Sequence, residues 1–162
     1  MNTTQPTTSP IGLNPEKSAE LAHLLNQLLA NYSVFYQNTR GYHWHIKGEH
    51  FFELHLKFEE LYQNLFVKID EIAERILTLG GAPEHNFSAY LKKADIPESD
   101  KISNGKKAIT EILSSLKSLL ILQRNLLDLS GEIGDEGTNA LMSDYISEQE
   151  KMIWMYSAYL NA

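Results

Sequence analysis

Histidines and acids are concentrated in one stretch of the chain, residues 42–75. Imidazole and carboxylate together form a ligand set that suits iron, manganese or zinc in proteins. The residues whose spacing could build such a site are His43, His55, Glu59, Asp70 and Glu74. The chain has no cysteine, so a thiolate metal site, a cysteine nucleophile and a disulfide framework are all excluded.

The elements that would position these residues are helices, because apolar residues recur with a 3.6-residue period along most of the chain. The pattern predicts four long helices and a short extra one, at about residues 15–46, 51–79, 87–93, 104–130 and 138–160. Asn14-Pro15-Glu16 is typical of a helix start. Gly80-Gly81 before Pro83 is typical of a helix end, and Gly131, Gly134 and Gly137 predict a tight turn.

Loop lengths predict how the long helices pack. Short loops make the first two helices antiparallel neighbours, and likewise the last two, while the connection at 82–103 is long enough to cross the bundle. We therefore predict an all-α, ferritin-like four-helix bundle over residues 14–162, with the short extra helix in the crossing connection. Residues 1–13 are rich in Thr, Pro and Ser without any charged side chain, and are expected to form a flexible tail.

Length and composition restrict the class of protein. The 162 residues suit one domain, and the 43% hydrophobic content suffices for a core. No apolar run approaches the roughly 20 residues of a membrane span, and the N-terminus lacks signal-peptide features, so we expect a soluble, cytoplasmic protein. The net charge of −7 favours attraction of cations over binding of nucleic acid or anionic lipid.

Helical geometry relates the five candidate ligands to one another. His43 and His55 flank a short loop between antiparallel helices, so their side chains can face each other. His55 and Glu59, like Asp70 and Glu74, are spaced i,i+4 and share a helix face. At about 100° per residue, all four positions on the second helix fall within a sector of roughly 100°.

A single chain cannot bring all five ligands to one ion. His55 and Asp70 are fifteen residues apart, or about 22 Å along a helix at 1.5 Å per residue, whereas a metal–ligand bond is only about 2 Å long. Two interpretations remain. Either these are two unrelated half-sites, or a second subunit lies antiparallel across a two-fold axis and completes two equivalent sites.

Each candidate also has a purely structural interpretation. Charged i,i+4 pairs on helices are commonly solvated surface, and His45, His50 and His85 are interpreted as surface or loop histidines. Glu20 and His23 match the E-x-x-H spacing of di-iron bundles, but that architecture needs a second copy on a facing helix, and the sequence has none.

The segment 42–81 resembles the Dps family of mini-ferritins, especially Listeria-type members. The resemblance rests on His43-Trp44 and Gly48, on F-F-x-L-H-x-K-F-E-E-L-Y at 51–62 and on D-E-I-A-E-R-I at 70–76, and it extends more weakly over nearly all the rest of the chain except the tail. It implies ferroxidase ligands His43, His55 and the acid at 59 from one subunit, with Asp70 and Glu74 from its two-fold mate. The family usually has Asp where this chain has Glu59.

The resemblance also implies a function. Family members form a hollow dodecamer in which Fe(II) enters through acidic pores, is oxidised at the dimer sites, by hydrogen peroxide in preference to oxygen, and is stored as ferric mineral. Trp44 would absorb stray oxidising equivalents, or else be an aromatic residue packed at a subunit contact. Asp135 and Asp144 fall where pore residues are expected; the alternatives are a helix cap for Asp135 and plain surface for Asp144.

Three functions compete at this point. The first is iron storage and detoxification by a ferroxidase that protects DNA and cell from oxidative damage. The second is an oligomer that compacts DNA and has a secondary metal site; the tail, with no cation before Lys17, argues against it. The third is a structural bundle that holds zinc or manganese at a dimer contact.

Overall fold

The structure, a computed structural model, describes residues 8–161 and consists of five helices joined by loops. The helices are α1 (Pro15–His45), α2 (Phe51–Thr78), α3 (Phe87–Lys93), α4 (Gly105–Glu132) and α5 (Glu136–Leu160). The all-helical prediction, including the short extra helix, is confirmed. Residues 1–7 of the predicted tail lie outside the described residues, and Leu13 in the described remainder packs against the core.

Side-chain caps set the helix starts. The side-chain oxygens of Asn14, Asn104 and Asp135 each accept a hydrogen bond from the backbone N–H three residues later, which satisfies a donor that the first helical turn leaves free. Because Asp135 is the cap, α5 starts at residue 136, two residues before the predicted start. The predicted turn at 131–137 is shorter than expected, and Gly134, with φ +73°, supplies its left-handed residue.

The chain follows the up-down-down-up topology of ferritin-like bundles. Helices α1 and α2 form one antiparallel pair and α4 and α5 another, and the connection carrying α3 packs along α1. Tyr32 of α1 lies opposite Gln123 of α4, and Tyr42 lies opposite Glu111, which shows that these two helices are also antiparallel. None of the helices within residues 8–161 is long and apolar enough to cross a membrane.

The centre of the bundle contains a closed ring of three polar side chains. The Tyr32 hydroxyl donates to Gln123 at 2.6 Å and accepts from the Gln149 amide at 2.6 Å, and Gln123 donates to Gln149 at 2.8 Å. All three are fully buried, and burial raises the pKa of Tyr32 well above its usual value. The centre of the core therefore holds three neutral side chains that hydrogen-bond to one another. None of these three is a carboxylate that could bind a metal ion.

Candidate metal site

His43 and His55 form a reciprocal clasp across the α1–α2 loop. The Nδ1 of His43 is 2.7 Å from the backbone oxygen of His55, and the Nδ1 of His55 is 2.8 Å from the backbone oxygen of His43. Their rings stack with centroids 3.7 Å apart and an angle of 17° between the planes. The carbonyl of His43 lies in the last turn of α1, where the helix itself supplies no partner, so the clasp also caps that helix.

The clasp determines which nitrogens are available to a metal. A carbonyl oxygen only accepts, so each Nδ1 must carry the hydrogen and each neutral ring keeps its lone pair on Nε2. Metal-binding histidines in proteins have this arrangement, with one ring nitrogen donating to a backbone carbonyl and the other free to coordinate. The pair is held in a ligand tautomer before any metal arrives.

Glu59 lies one helical turn beyond His55 and is half-buried. The side-chain amide of Gln63 donates to its Oε1 at 3.2 Å. Its Oε2 has no hydrogen-bond partner among residues 8–161, so one oxygen of this carboxylate is free. Sequence reasoning did not identify Gln63, although an amide at i+4 from an acid on a helix is a recognisable signal.

Asp70 and Glu74 occupy the other end of the same exposed face of α2. Within residues 8–161 neither side chain makes an ion pair or a side-chain hydrogen bond. In that described part of one chain, no group of three or more His, Cys, Asp or Glu residues is placed to hold a metal ion. The structure thus brings His43 and His55 together with Glu59 one turn away, and leaves Asp70 and Glu74 at a distance.

The face of α2 that carries these acids is also unusually apolar for an exposed surface. Its exposed large side chains are Phe52, Leu56, Phe66, Val67 and Leu77, and they are interspersed with Glu59, Asp70 and Glu74. We call this set the α2 stripe. Contiguous exposed apolar surface of this kind marks an interaction site.

Trp44 follows His43 in α1 and is 55% exposed. The guanidinium carbon of Arg40 is 4.7 Å from the Trp44 ring centre and 5.3 Å from that of Tyr36. This stacking between two aromatic rings fixes the orientation of the indole.

The two predicted pore acids differ in their surroundings. Asp135 is 2% exposed, and both of its carboxylate oxygens are engaged, Oδ1 by Arg75 at 2.5 Å and by the Thr138 N–H at 3.1 Å, and Oδ2 by the Thr138 hydroxyl at 2.5 Å. The helix-cap alternative therefore describes Asp135. Asp144 is exposed on α5.

The remaining sequence candidates stay apart from the clasp. His45 is half-buried and His85 exposed, and His50 is exposed with its Nδ1 3.4 Å from Glu53. Glu20 and His23 are both exposed near the start of α1, away from the core centre. Nothing in this arrangement adds to the five predicted ligands.

Known proteins that resemble this chain show first the class of protein to which it belongs. Residues 22–162 match the Ferritin family, a ferritin-like domain. A structure of a Dps protein from Vibrio cholerae, described as a member of a broad superfamily of ferritin-like diiron-carboxylate proteins, is 55% identical with a TM-score of 0.94, covering 98% of this chain and 99% of that one.

Curated relatives narrow the class. The DNA protection during starvation protein of Porphyromonas gingivalis is 43% identical over 148 residues, which is 91% of this chain and 93% of that protein. Its counterpart in Listeria innocua is 30% identical over 88% of this chain and 93% of its own length. The chain belongs to the Dps family of ferritin-like proteins.

Proposed function

We propose that this protein oxidises Fe(II) at sites shared between two copies of the chain and stores the ferric product inside an oligomeric cage. The observation that carries the proposal is the combination of a preformed histidine clasp with two unpartnered carboxylates on one exposed helix face. Neither half binds iron well alone, whereas together they supply nitrogen and oxygen ligands suited to iron.

The α2 stripe is self-complementary in a way that supports the dimer. If α2 lies antiparallel to a second α2 so that residue 55 faces residue 74, then 59 faces 70 in the same register. The apolar positions also match, because residue 52 then faces 77, and Phe66 lies beside the two-fold axis. One register therefore pairs ligand with ligand and Phe52 with Leu77, and it places Phe66 opposite Gln63 beside the axis of an isologous contact.

The ligand set suits the reaction. His43 and His55 offer fixed Nε2 lone pairs, while Glu59, Asp70 and Glu74 bring carboxylates that favour Fe(III) over Fe(II) and lower the barrier to oxidation. Two Fe(II) ions give two electrons to one hydrogen peroxide, which takes up two protons and leaves as two waters. Glu59 is longer than the Asp usual in the family, and the hydrogen bond from Gln63 restricts where its carboxylate lies.

We further propose a dodecameric cage in the cytoplasm, where the lack of cysteine fits a reducing compartment. Asp144 is the stronger of the two candidates for an acidic entry pore, because Asp135 is already neutralised by Arg75. Trp44, next to His43, is positioned to take up stray oxidising equivalents.

Subunit mixing tests the shared site. His43→Ala and Asp70→Ala chains are each expected to oxidise Fe(II) poorly when assembled alone. In a randomly co-assembled mixture, half of the dimers are mixed and each has one intact site, so about a quarter of the wild-type activity should return. No recovery in verified mixed oligomers would refute the shared site.

A second experiment distinguishes a ferroxidase from a structural bundle that only holds zinc or manganese. Fe(II) is added without oxygen and then treated with peroxide while ferric absorbance is recorded. A rapid rise that disappears in the His43→Ala, Asp70→Ala double variant supports the ferroxidase. An oxidation rate unchanged by the double substitution rejects these residues.

The relatives' name includes DNA protection, which we attribute here to removal of iron and peroxide and not to direct binding. Twelve copies at −7 each would carry a formal charge of roughly −84, which repels the phosphate backbone. The expected result of a gel-shift assay at low salt without divalent metal is an unshifted band. A clear shift at micromolar protein would favour the DNA-compacting alternative.

A further inference from the structure

The second half of α2 is attached to α5 by polar side chains. Asn64 donates to Glu148 at 2.7 Å, and the buried Lys68 forms an ion pair with the same carboxylate. The Tyr145 hydroxyl donates to Glu71 at 2.5 Å. These contacts lie along the face of α2 turned away from the α2 stripe, and they fix this half of the helix with directional bonds.

The last contact of the series is the most elaborate. The Nε of Arg75 donates to the Thr138 hydroxyl at 2.9 Å, and its Nη2 donates to Asp135 at 2.5 Å. Asp135 in turn caps α5. One planar guanidinium thus joins the end of α2 to the first turn of α5, and its fork geometry restricts both the distance and the angle between the helices.

Gly137 provides the space for this fork. A Cβ added at this position would lie 2.7 Å from Nη1 of Arg75 and 2.8 Å from Nη2. Gly137 is the second residue of α5 and is exposed to solvent. A side chain at residue 137 would therefore have to displace the guanidinium group from this position.

We infer that Arg75 is a positioning residue for the Asp70–Glu74 half of the shared metal site, an inference that rests on the proposed function. Within residues 8–161 the side chains of Asp70 and Glu74 make no hydrogen bond or ion pair, so their positions depend on the helix that carries them. Arg75, adjacent to Glu74, fixes the rotation of that helix end against the bundle.

Magnitudes show why rotation matters. Ile72 and Ile76 bury this end of α2, but apolar packing is non-directional and tolerates small rotations. A rotation of about 10° moves a side-chain end at the ~5–6 Å outer radius of a helix by ~1 Å. A functional site requires its groups to be held within about 0.5 Å, so losing the fork is enough to misplace both carboxylates.

The test measures Co(II) binding by titration and visible absorbance on assembled oligomers, with assembly checked by native mass. Arg75→Gln removes the fork, and Gly137→Ala displaces it while keeping every hydrogen-bonding group. Both should weaken Co(II) binding about 10-fold and alter the absorption bands; this is the low end of the effect of losing a direct outer partner of a metal ligand, because Arg75 acts only through the helix. Thr138→Ser, which keeps the hydroxyl, should behave as wild type.

Arg124→Gln is the matched control. Arg124 forms an ion pair with Glu150 at 2.5 Å between α4 and α5, so its loss also breaks a pair between an arginine and a carboxylate, but this pair is exposed and lies outside α2. Its Co(II) binding should remain at the wild-type level. If Arg75→Gln fails to assemble, Gly137→Ala decides the question.

Two results would overturn the inference, and they differ. If Gly137→Ala and any assembled Arg75→Gln bind Co(II) with wild-type affinity and spectrum, Arg75 does not position the site although the proposed site stands. If wild type itself binds Co(II) no better than His43→Ala, the shared site fails, and the positioning role fails with it.

Discussion

The two ends of α2 carry the two halves of the proposed site and are prepared for metal in different ways. At the first end, His43 is 9% exposed, its Nδ1 is hydrogen-bonded to the His55 carbonyl and one face of its ring stacks on the His55 ring. At the second end, Asp70 and Glu74 extend into solvent while the opposite face of the helix is bonded to α5. The imidazoles are held directly, whereas the carboxylates are held only through their helix.

The difference follows from the charge of the ligands. Neutral imidazoles can be packed and hydrogen-bonded in advance at little electrostatic cost, whereas burying two carboxylates without a cation is expensive. Like charges spaced i,i+4 also repel each other. In the proposed dimer, Asp70 and Glu74 would therefore leave water only when a partner chain and a cation arrive together, so that dimer and metal would stabilise each other.

The largest effect is expected from a substitution that breaks the proposed contact between two copies of α2, because both halves of the site depend on that contact. Phe66 is 61% exposed at the centre of the α2 stripe, beside the proposed two-fold axis. Phe66→Asp places two carboxylates near that axis and should dissociate the oligomer in sedimentation at micromolar concentration, with loss of metal binding. Phe66→Leu keeps the site apolar and should remain assembled; assembled Phe66→Asp oligomers would contradict the proposed register.

The next largest effect is expected from a substitution in the clasp formed by His43 and His55. His55→Ala deletes one ligand and also frees the His43 carbonyl and ring, so Fe(II) oxidation should fall by at least about 100-fold, since outer partners alone are worth about 10–100-fold. Stopped-flow absorbance measures the rate. His50→Ala changes an exposed histidine outside the clasp and should retain the wild-type rate. Equal rates in both variants would show that the clasp is not the site.

These contrasts indicate what the sequence could predict. The apolar period and the glycine and proline positions predict the helices to within about two residues, because those signals are local. The same period places Glu59, Asp70 and Glu74 on one face. The sequence could not predict the carbonyl partners of His43 and His55, because these depend on how the loop brings two helix ends together.

The start of α5 shows the same limit more sharply. The sequence leaves both a pore ligand and a helix cap open for Asp135, and the burial of Asp135 against Arg75, which is a property of the packed bundle, favours the cap. The sequence predicts Gly137 as a turn residue, yet it is the second residue of α5 and leaves room for the guanidinium of Arg75. Such requirements arise from contacts between residues some sixty positions apart and leave no local pattern.

A smaller effect concerns the carboxylate half alone. If metal completes the interface, saturating Co(II) should raise the free energy of unfolding, by about 2.7 kcal/mol when the free metal is 100 times its Kd. Thermal melts with and without chelator measure this. The Asp70→Asn, Glu74→Gln double variant should lose the increment while keeping its metal-free stability, because neither carboxylate has a partner within residues 8–161. An increment unchanged by the substitutions would show that metal binds elsewhere.

The smallest effect tests the bonds that hold the carboxylate end of α2. Burial, with the hydrogen bond to Glu71 next, raises the pKa of Tyr145 far above its ordinary value of 10.0. A pKa raised in the folded state gives stability that is fully present below pH 10 and is lost as pH rises above it. The free energy of unfolding should therefore decline above pH 10.

Tyr145→Phe separates this contribution from the rest. It should cost about 1 kcal/mol near neutral pH, the usual worth of one hydrogen bond, and should flatten the alkaline decline without abolishing it, because burial also raises the pKa of Tyr32 and Tyr42. Amide exchange along α2 at high pH locates the change. Residues 64–76 should lose protection before 54–58, since the Tyr145 phenol bonds directly to Glu71 in the former segment. Loss of protection that begins at residues 54–58 would show that this bond does not hold the carboxylate end of α2.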